Sequence, residues 1–163
     1  MKAEKGGKAA EAQCRLIYRS ETSWDLLSNE SLLQLAKSSA KNNKGGNITG
    51  LLLLSGESFL QVLEGPADKV NQLYLKITRD KRHEDVTLLS YEQTGQRYFS
   101  EWSMHVVDLH ELPLEQRDFL IRKYPEEGGY ISVPHDHQRA FSLLMDARFF
   151  SLPEQEHAAV GAR

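Results

Sequence analysis

The sequence predicts an α+β fold in which a βαββαββ chain forms one sheet with two helices on a single face, followed by a C-terminal helical extension. Three observations carry this. Short apolar runs alternate in character, as in "NITGLLLLSGESFLQVLEG" at 47–65. Helical spacing appears between them, and two further helical patterns follow residue 109.

The first strand is "QCRLIYRS", with Cys14, Leu16 and Tyr18 on one face and Arg15, Ile17 and Arg19 on the other. In "SNESLLQLAKSSAKN", Leu32, Leu35, Ala36 and Ser39 recur at helical spacing, with Ser28 or Asn29 available as the N-cap. The helix is expected to stop before "NNKGGN", whose composition is that of a loop. Two strands then flank the hairpin turn "SGES", and Gly65-Pro66 closes the second of them. Pro66 suits the first turn of a second helix, whose buried stripe is Val70, Leu73, Tyr74 and Ile77. After the charged run "RDKRHED", the segments "VTLLSYEQ" and "WSMHVVDL" complete the strands. The order begins with the split βαβ arrangement of ferredoxin-like domains.

Beyond residue 109, "LPLEQRDFLIRKY" and "HQRAFSLLMDARFF" are helical, with Phe141, Leu144, Met145 and Phe149 in register and the loop "PEEGGYISVP" between the two. Two amphipathic helices left over from a finished two-layer domain must cover the sheet's second face or pack on another subunit, which gives the expectation of a homo-oligomer. The predicted divisions are a disordered tail at 1–12, a domain at 13–109, the helical extension at 110–153 and a second disordered tail at 154–163.

With 163 residues and 40% hydrophobic content, one core is affordable. The net charge of −3 gives no general attraction to nucleic acid or to anionic lipid. Cys14 is the one cysteine, so neither an intrachain disulfide nor a cysteine-based metal cluster can form. No apolar run reaches membrane-spanning length and the opening residues lack an apolar signal region, so the expected location is cytoplasmic and no membrane partner is expected. "HDH" at 135–137 supplies at most part of a metal shell, "GESFL" is not a nucleophile elbow, and there is no Walker loop or G-x-G-x-x-G.

One residue looks misplaced. Gln61 shares its alternating face with Phe59 and Leu63, and a buried amide without a partner costs about 1–3 kcal/mol. Either Gln61 lies on an exposed or edge face, or bonds nearby backbone, or else it sits between two polar groups of a ligand site, since an amide both donates and accepts. Tyr18 has a similar ambiguity between a packed ring and a proton-transfer residue. Trp102 and Met104, two apart in a predicted strand, are expected on one face. Asn42 and Asn43 suit a helix end but also the polar edge of a heterocycle, and the run Arg79 to His83 suits a helix C-terminus or a phosphate clamp.

Together these segments resemble the BLUF family of blue-light sensors using FAD, over about residues 14–109. "LIYRS" resembles its first strand, with Tyr18 as the photoactive tyrosine. "NNKGGNITGLL" resembles its asparagine-containing loop and the following strand, bringing Asn42, Asn43 and Ile48 to the flavin. "FLQVLEG" carries the family glutamine at Gln61. "RDKRH" offers Lys81, Arg82 and His83 for the ring edge, ribityl chain or phosphates, and "WSM" resembles the family's variable Trp102 and Met104. One local departure is Gly45-Gly46, which makes the loop after Asn43 unusually permissive.

The resemblance implies FAD as cofactor and a photoreceptor rather than an enzyme, in which light-driven electron and proton transfer from Tyr18 rearranges the hydrogen bonds of Gln61. It further implies signalling to an unidentified downstream protein or to an oligomer interface. Two rivals are a light-independent flavoprotein reductase and a ferredoxin-like regulatory or interaction domain that binds no flavin.

Overall fold

A computed structural model describes residues 12–22 and 29–153. The strands are β1 (Gln13–Glu21), β2 (Thr49–Ser55), β3 (Ser58–Pro66), β4 (Glu84–Gln93) and β5 (His105–Asp108), and the first two helices are α1 (Asn29–Gly45) and α2 (Ala67–Arg79). They form a five-stranded sheet of order β4-β1-β3-β2-β5, with β2 and β5 parallel and the other neighbours antiparallel. The chain continues through α3 (Leu114–Lys123), a short hairpin of β6 (Glu126–Glu127) and β7 (Tyr130–Ile131), and α4 (His137–Ser151). The fold is the predicted α+β arrangement with a helical extension. The expected cap at Ser28 and nearly all of both expected tails lie outside the described residues.

Alternation along the strands separates two cores. Cys14, Leu16, Tyr18, Leu52, Leu54, Phe59 and Leu63 face α1 and α2, meeting Leu35 and Val70. Leu73, Tyr74 and Ile77 pack beside Val70, as the helical spacing predicted. Ile17, Leu51, Leu53, Leu60 and Val62 face the other way and are covered by Leu120 of α3 and by Ala140, Leu143, Leu144 and Ala147 of α4. The C-terminal helices thus spend their apolar stripes on the sheet's second face. The buried line of α4 is turned from the expected one: Ala140 and Ala147 meet the sheet, Phe141 and Met145 flank it, and Phe149 is exposed. Two small side chains let the helix sit close, a feature that apolar spacing alone does not reveal.

Ser55 pairs with Ser58, so the β2–β3 turn has two central residues, and Gly56 at φ 60° takes the left-handed position that such a hairpin demands. The ring of Tyr130 lies where a Cβ on Gly56 would stand, which joins the small hairpin to this turn.

Three other expectations need correction. Helix α1 runs through the asparagines to Gly45, because the Asn43 carbonyl accepts from Gly46 N and Ile48 N and closes the helix there instead of opening a loop earlier. The segment expected to be wholly loop, 125–134, contains the β6–β7 hairpin. The last strand begins only at His105, so Trp102 and Met104 do not lie on it. Without strand alternation they do not share a face: Met104 joins the core under α1 and α2, whereas Trp102 packs against the core under α3 and α4.

Candidate functional site

Pairing of β1 with β3 sets Tyr18 directly opposite Gln61, on the face that α1 and α2 cover. Strand β3 has neighbours on both sides, so Gln61 is neither exposed nor on an edge, and it is 5% exposed. The Tyr18 hydroxyl donates to Gln61 Oε1. Burial pushes the Tyr18 phenol far above its ordinary value, with Tyr74 and Asp80 adding in the same direction. A phenol that keeps its proton is a donor, so the amide oxygen must face it and Nε2 must point away. Nε2 then donates to Met104 Sδ at 3.3 Å. A thioether is a weak acceptor, so this end of the amide is poorly satisfied for a buried group.

A cleft of about 200 Å³ opens beside Gln61 between the two helices. Leu35, Asn42 and Asn43 of α1 form one wall, Leu73, Lys76 and Ile77 of α2 the other, and Leu52 and Gln61 the floor. Asp80, Arg82 and His83 line it where α2 leads into β4. Arg82 is held by Asp80, with Nη2 to Oδ2 at 2.6 Å and the Arg82 N–H also donating to Oδ1. That pairing keeps the Asp80 carboxyl below its ordinary value, chiefly through the side-chain hydrogen bond.

The asparagines differ. Asn42 is exposed at the cleft, while buried Asn43 donates from Nδ2 to the Ser103 carbonyl at 2.9 Å and so ties the end of α1 to the segment carrying Met104. The Gly50 N–H donates to the Trp102 carbonyl at 3.1 Å, a second tether. Any side chain on Gly50 would collide with the Val62 carbonyl, so the close approach needs glycine. Trp102 itself stacks on His105 with centroids 4.7 Å apart, away from Gln61.

Of the sequence-derived residues, Tyr18, Gln61, Met104, Asn42, Asn43, Arg82 and His83 come together at or beside the cleft. Ile48 lies in the core next to it, Lys81 is exposed outside it, and Trp102 is on the sheet's other side. Leu35, Ser38 and Lys76 line the cleft without having been put forward for it. Leu35 was visible as part of a helical stripe, but only the packing of α1 beside α2 shows that such a residue also walls a cleft. A larger cavity of about 500 Å³ opens on the opposite face. Its Arg19, Glu21, Ser55 and Ser58 are bonded to one another, to His135 or to main chain, so the chemistry stays with the smaller cleft.

His83 carries a testable pH dependence. Burial lowers its pKa below 6.5, with Asp80 opposing and Arg82 assisting, and burial lowers that of His105 likewise. The unfolded chain therefore takes up protons more readily than the folded one as pH falls below 6.5. Stability is expected to be full above that value and to decline through the folded pKa values. Denaturant midpoints measured against pH should show this slope, and His83→Gln should remove part of it; a slope unchanged in that variant would contradict the assignment.

Apolar walls, amides at the floor and one side, and cations at the mouth suit a flat heteroaromatic group with an anionic tail. Among the described residues no group of histidines, cysteines and carboxylates is placed to hold a metal ion, and no helix is long and apolar enough to cross a membrane.

The family described as sensors of blue light using FAD matches residues 14–105. The blue light- and temperature-regulated antirepressor BluF of Escherichia coli is 31% identical over 150 residues, which is 86% of this chain and 36% of that protein. Photoactivated adenylate cyclase subunit alpha of Euglena gracilis is 35% identical over 108 residues, 65% of this chain and 10% of that protein. The chain thus spans about a third of the first relative's length and a tenth of the second's. Among solved structures, a bacterial light-regulated adenylyl cyclase aligns at TM-score 0.62 and 38% identity, covering 66% of this chain and 31% of that one. The dark-state structure of BlrB, a BLUF protein, aligns at TM-score 0.58 and 29% identity, covering 68% and 86%. The residues matched include both strands of the Tyr18–Gln61 pair and both helices of the cleft, and the chain belongs to the BLUF family, sensors of blue light using FAD.

Proposed function

We propose that this chain is a blue-light receptor in which Tyr18 and Gln61 form the switch and the C-terminal helices receive the signal. The observation that carries this reading is the buried Gln61 amide, which spends its oxygen on Tyr18 and turns its N–H groups toward a weak sulfur acceptor at the edge of the cleft. Nε2 has a second N–H that a stronger acceptor on a ligand would take, and the chemistry of the lining suits the ring end of FAD. Leu35, Leu73 and Ile77 would sandwich a flat ring, Asn42, Asn43 and His83 would meet its polar edges, and Lys76 with Arg82 would face the phosphates. Ile48 backs the cleft from the core, and Lys81, exposed outside it, would add positive charge for the phosphates. When bound, FAD supplies absorption of blue light and an acceptor for an electron and a proton.

Tyr18 is suited to give up both and to take both back once the amide has changed, so that the tyrosine and the flavin end in their starting oxidation states and only the hydrogen bonds differ. Its hydroxyl is buried, protonated and already hydrogen-bonded to the amide. Gln61 is suited to answer because turning its amide, or changing its tautomer, exchanges donor and acceptor without burying charge. Once the amide turns and Nε2 leaves Met104, the segment 101–104 loses its hydrogen bond to the switch. The same segment is tied to α4 through the Glu101–Arg148 ion pair, which gives the change a path to the outer helices. Met104 is the residue that reads the amide here, with Trp102 positioned to act from the other side of the sheet. The receiver beyond the helices is a downstream signalling protein or a second copy of the chain.

The test is the absorption spectrum of the purified chain with FAD, before and after blue illumination. A reversible move to longer wavelength is expected. Bound flavin that only bleaches, with steady turnover of a nicotinamide reductant, would instead support a reductase, and failure to bind flavin after reconstitution would leave an interaction domain.

A further inference from the structure

His83 presents two ring nitrogens, and which one carries the proton decides what kind of ligand atom the cleft recognises at that point. Nδ1 lies 2.9 Å from Ser20 Oγ. Ser20 is on β1 two residues after Tyr18 and is fully buried, and the β1–β4 register is broken between Arg19 and Glu21, so Ser20 has no direct partner on β4. His83 enters at this gap, immediately before β4 begins. Its ring is also fixed by Phe59, at 5.3 Å between centroids, and by Tyr18, at 6.1 Å edge-on, while its backbone N–H donates to the Asp80 carbonyl.

The direction of the Ser20–His83 bond follows from what each group has left. If Nδ1–H donated to Ser20, the serine proton would need another acceptor, and the described residues provide it with no other partner than His83. A buried hydroxyl proton without an acceptor is costly, whereas a hydroxyl oxygen with an unused lone pair is common. The serine therefore donates to Nδ1, and the ring proton resides on Nε2. Nε2 has no protein partner among the described residues, and His83 lines the cleft.

We infer that Ser20 is a positioning residue that holds His83 as the Nε2–H tautomer, so that the cleft meets its ligand at this point with a neutral donor and selects an acceptor there, a carbonyl or phosphate oxygen. The inference rests on the proposed use of the cleft as the FAD site only for its second half; the tautomer belongs to the protein alone.

The test uses the flavin-free protein labelled with 15N-histidine, at about pH 8 where a histidine of ordinary or lowered pKa is neutral. Nitrogen–carbon-bound-proton correlation spectra are expected to show Nδ1 bare and Nε2 protonated for His83 in the unaltered chain, a mixture in Ser20→Ala, and the original pattern in Ser20→Thr. Protonated Nδ1 in the unaltered chain, or a tautomer indifferent to Ser20→Ala, overturns the inference, and the first of these needs no variant to fold. FAD titration then reads the second half: loss of one hydrogen bond's orientation should weaken binding by about 3- to 10-fold in Ser20→Ala and not in Ser20→Thr. Equal affinity in Ser20→Ala and the unaltered chain overturns it. If the unaltered chain takes no FAD, the reading of the cleft fails while the histidine spectrum still decides the tautomer.

Discussion

Gln61→Leu is expected to leave FAD bound and to abolish the light-driven shift in its absorption. Leucine is close to glutamine in size and suits a floor already made with Leu52, so the cleft keeps its shape. What disappears is the group that both accepts from Tyr18 and donates on its other side. The Tyr18 hydroxyl is then buried without its acceptor, a loss of about 1–3 kcal/mol in folding stability. Tyr18→Phe removes the donor from the opposite end and should suppress the normal photocycle while costing less stability. Flavin content after purification, read together with light-minus-dark absorption, separates loss of binding from loss of switching. A Gln61→Leu protein that shifts as the unaltered chain does would remove the amide from the mechanism.

The largest effect on stability is expected at Glu64. This carboxylate is fully buried on the face opposite the cleft, where it accepts from Arg15 Nε at 2.9 Å and from the backbone N–H groups of Tyr98 and Phe99. Arg15, 5% exposed, also donates to Glu92 and to the Gln96 carbonyl, and its guanidinium lies 4.6 Å from the Tyr98 ring centroid and 5.4 Å from that of Phe141 on α4. The pair therefore joins β1, β3, the 94–99 connection and the last helix. Removing one member of a buried ion pair typically costs about 3–5 kcal/mol, because the other charge stays in place without its partner. Glu64→Ala should fall in that range in urea unfolding, and Arg15→Met combined with Glu64→Leu should cost less than Glu64→Ala alone. A change of less than about 0.5 kcal/mol in Glu64→Ala would place this pair among ion pairs of surface-like worth.

Much of the architecture was legible because strand alternation has a period of two that a core enforces. The two strands between Leu51 and Leu63 show it: Leu52 and Leu54 of β2 and Phe59, Gln61 and Leu63 of β3 alternate toward α1 and α2, with the phase shifted by the two-residue turn. Gln61 falls on that side as its neighbours required. The residues alone said that a buried amide needs a partner; that Tyr18 is the partner came from the family resemblance, and the pairing of β1 with β3 sets the two opposite each other. The same reasoning failed at Trp102 and Met104. Alternation holds only where backbone is extended and paired, and hydrogen bonds from the Gly50 N–H and the Asn43 side-chain amide to the carbonyls of Trp102 and Ser103 hold this segment outside the strand. Asn42 and Asn43 were legible as polar residues at a helix end, but the helix end itself moved, because carbonyl capping after Asn43 outweighs the loop composition of the glycines. Arg15 and Glu64 gave no signal, since two charges 49 residues apart announce a buried pair only once the strands are aligned.

The central claim is that light changes the hydrogen bonding of one glutamine side chain while its neighbours stay uncharged. Infrared light-minus-dark difference spectra of the FAD-bound chain, prepared with and without isotope in the glutamine side-chain carbonyl, measure that change directly. The account predicts difference bands that move on labelling in the unaltered chain and are absent in Gln61→Leu. Difference spectra in which no band responds to the label, in a chain whose flavin absorption still shifts under blue light, would contradict it.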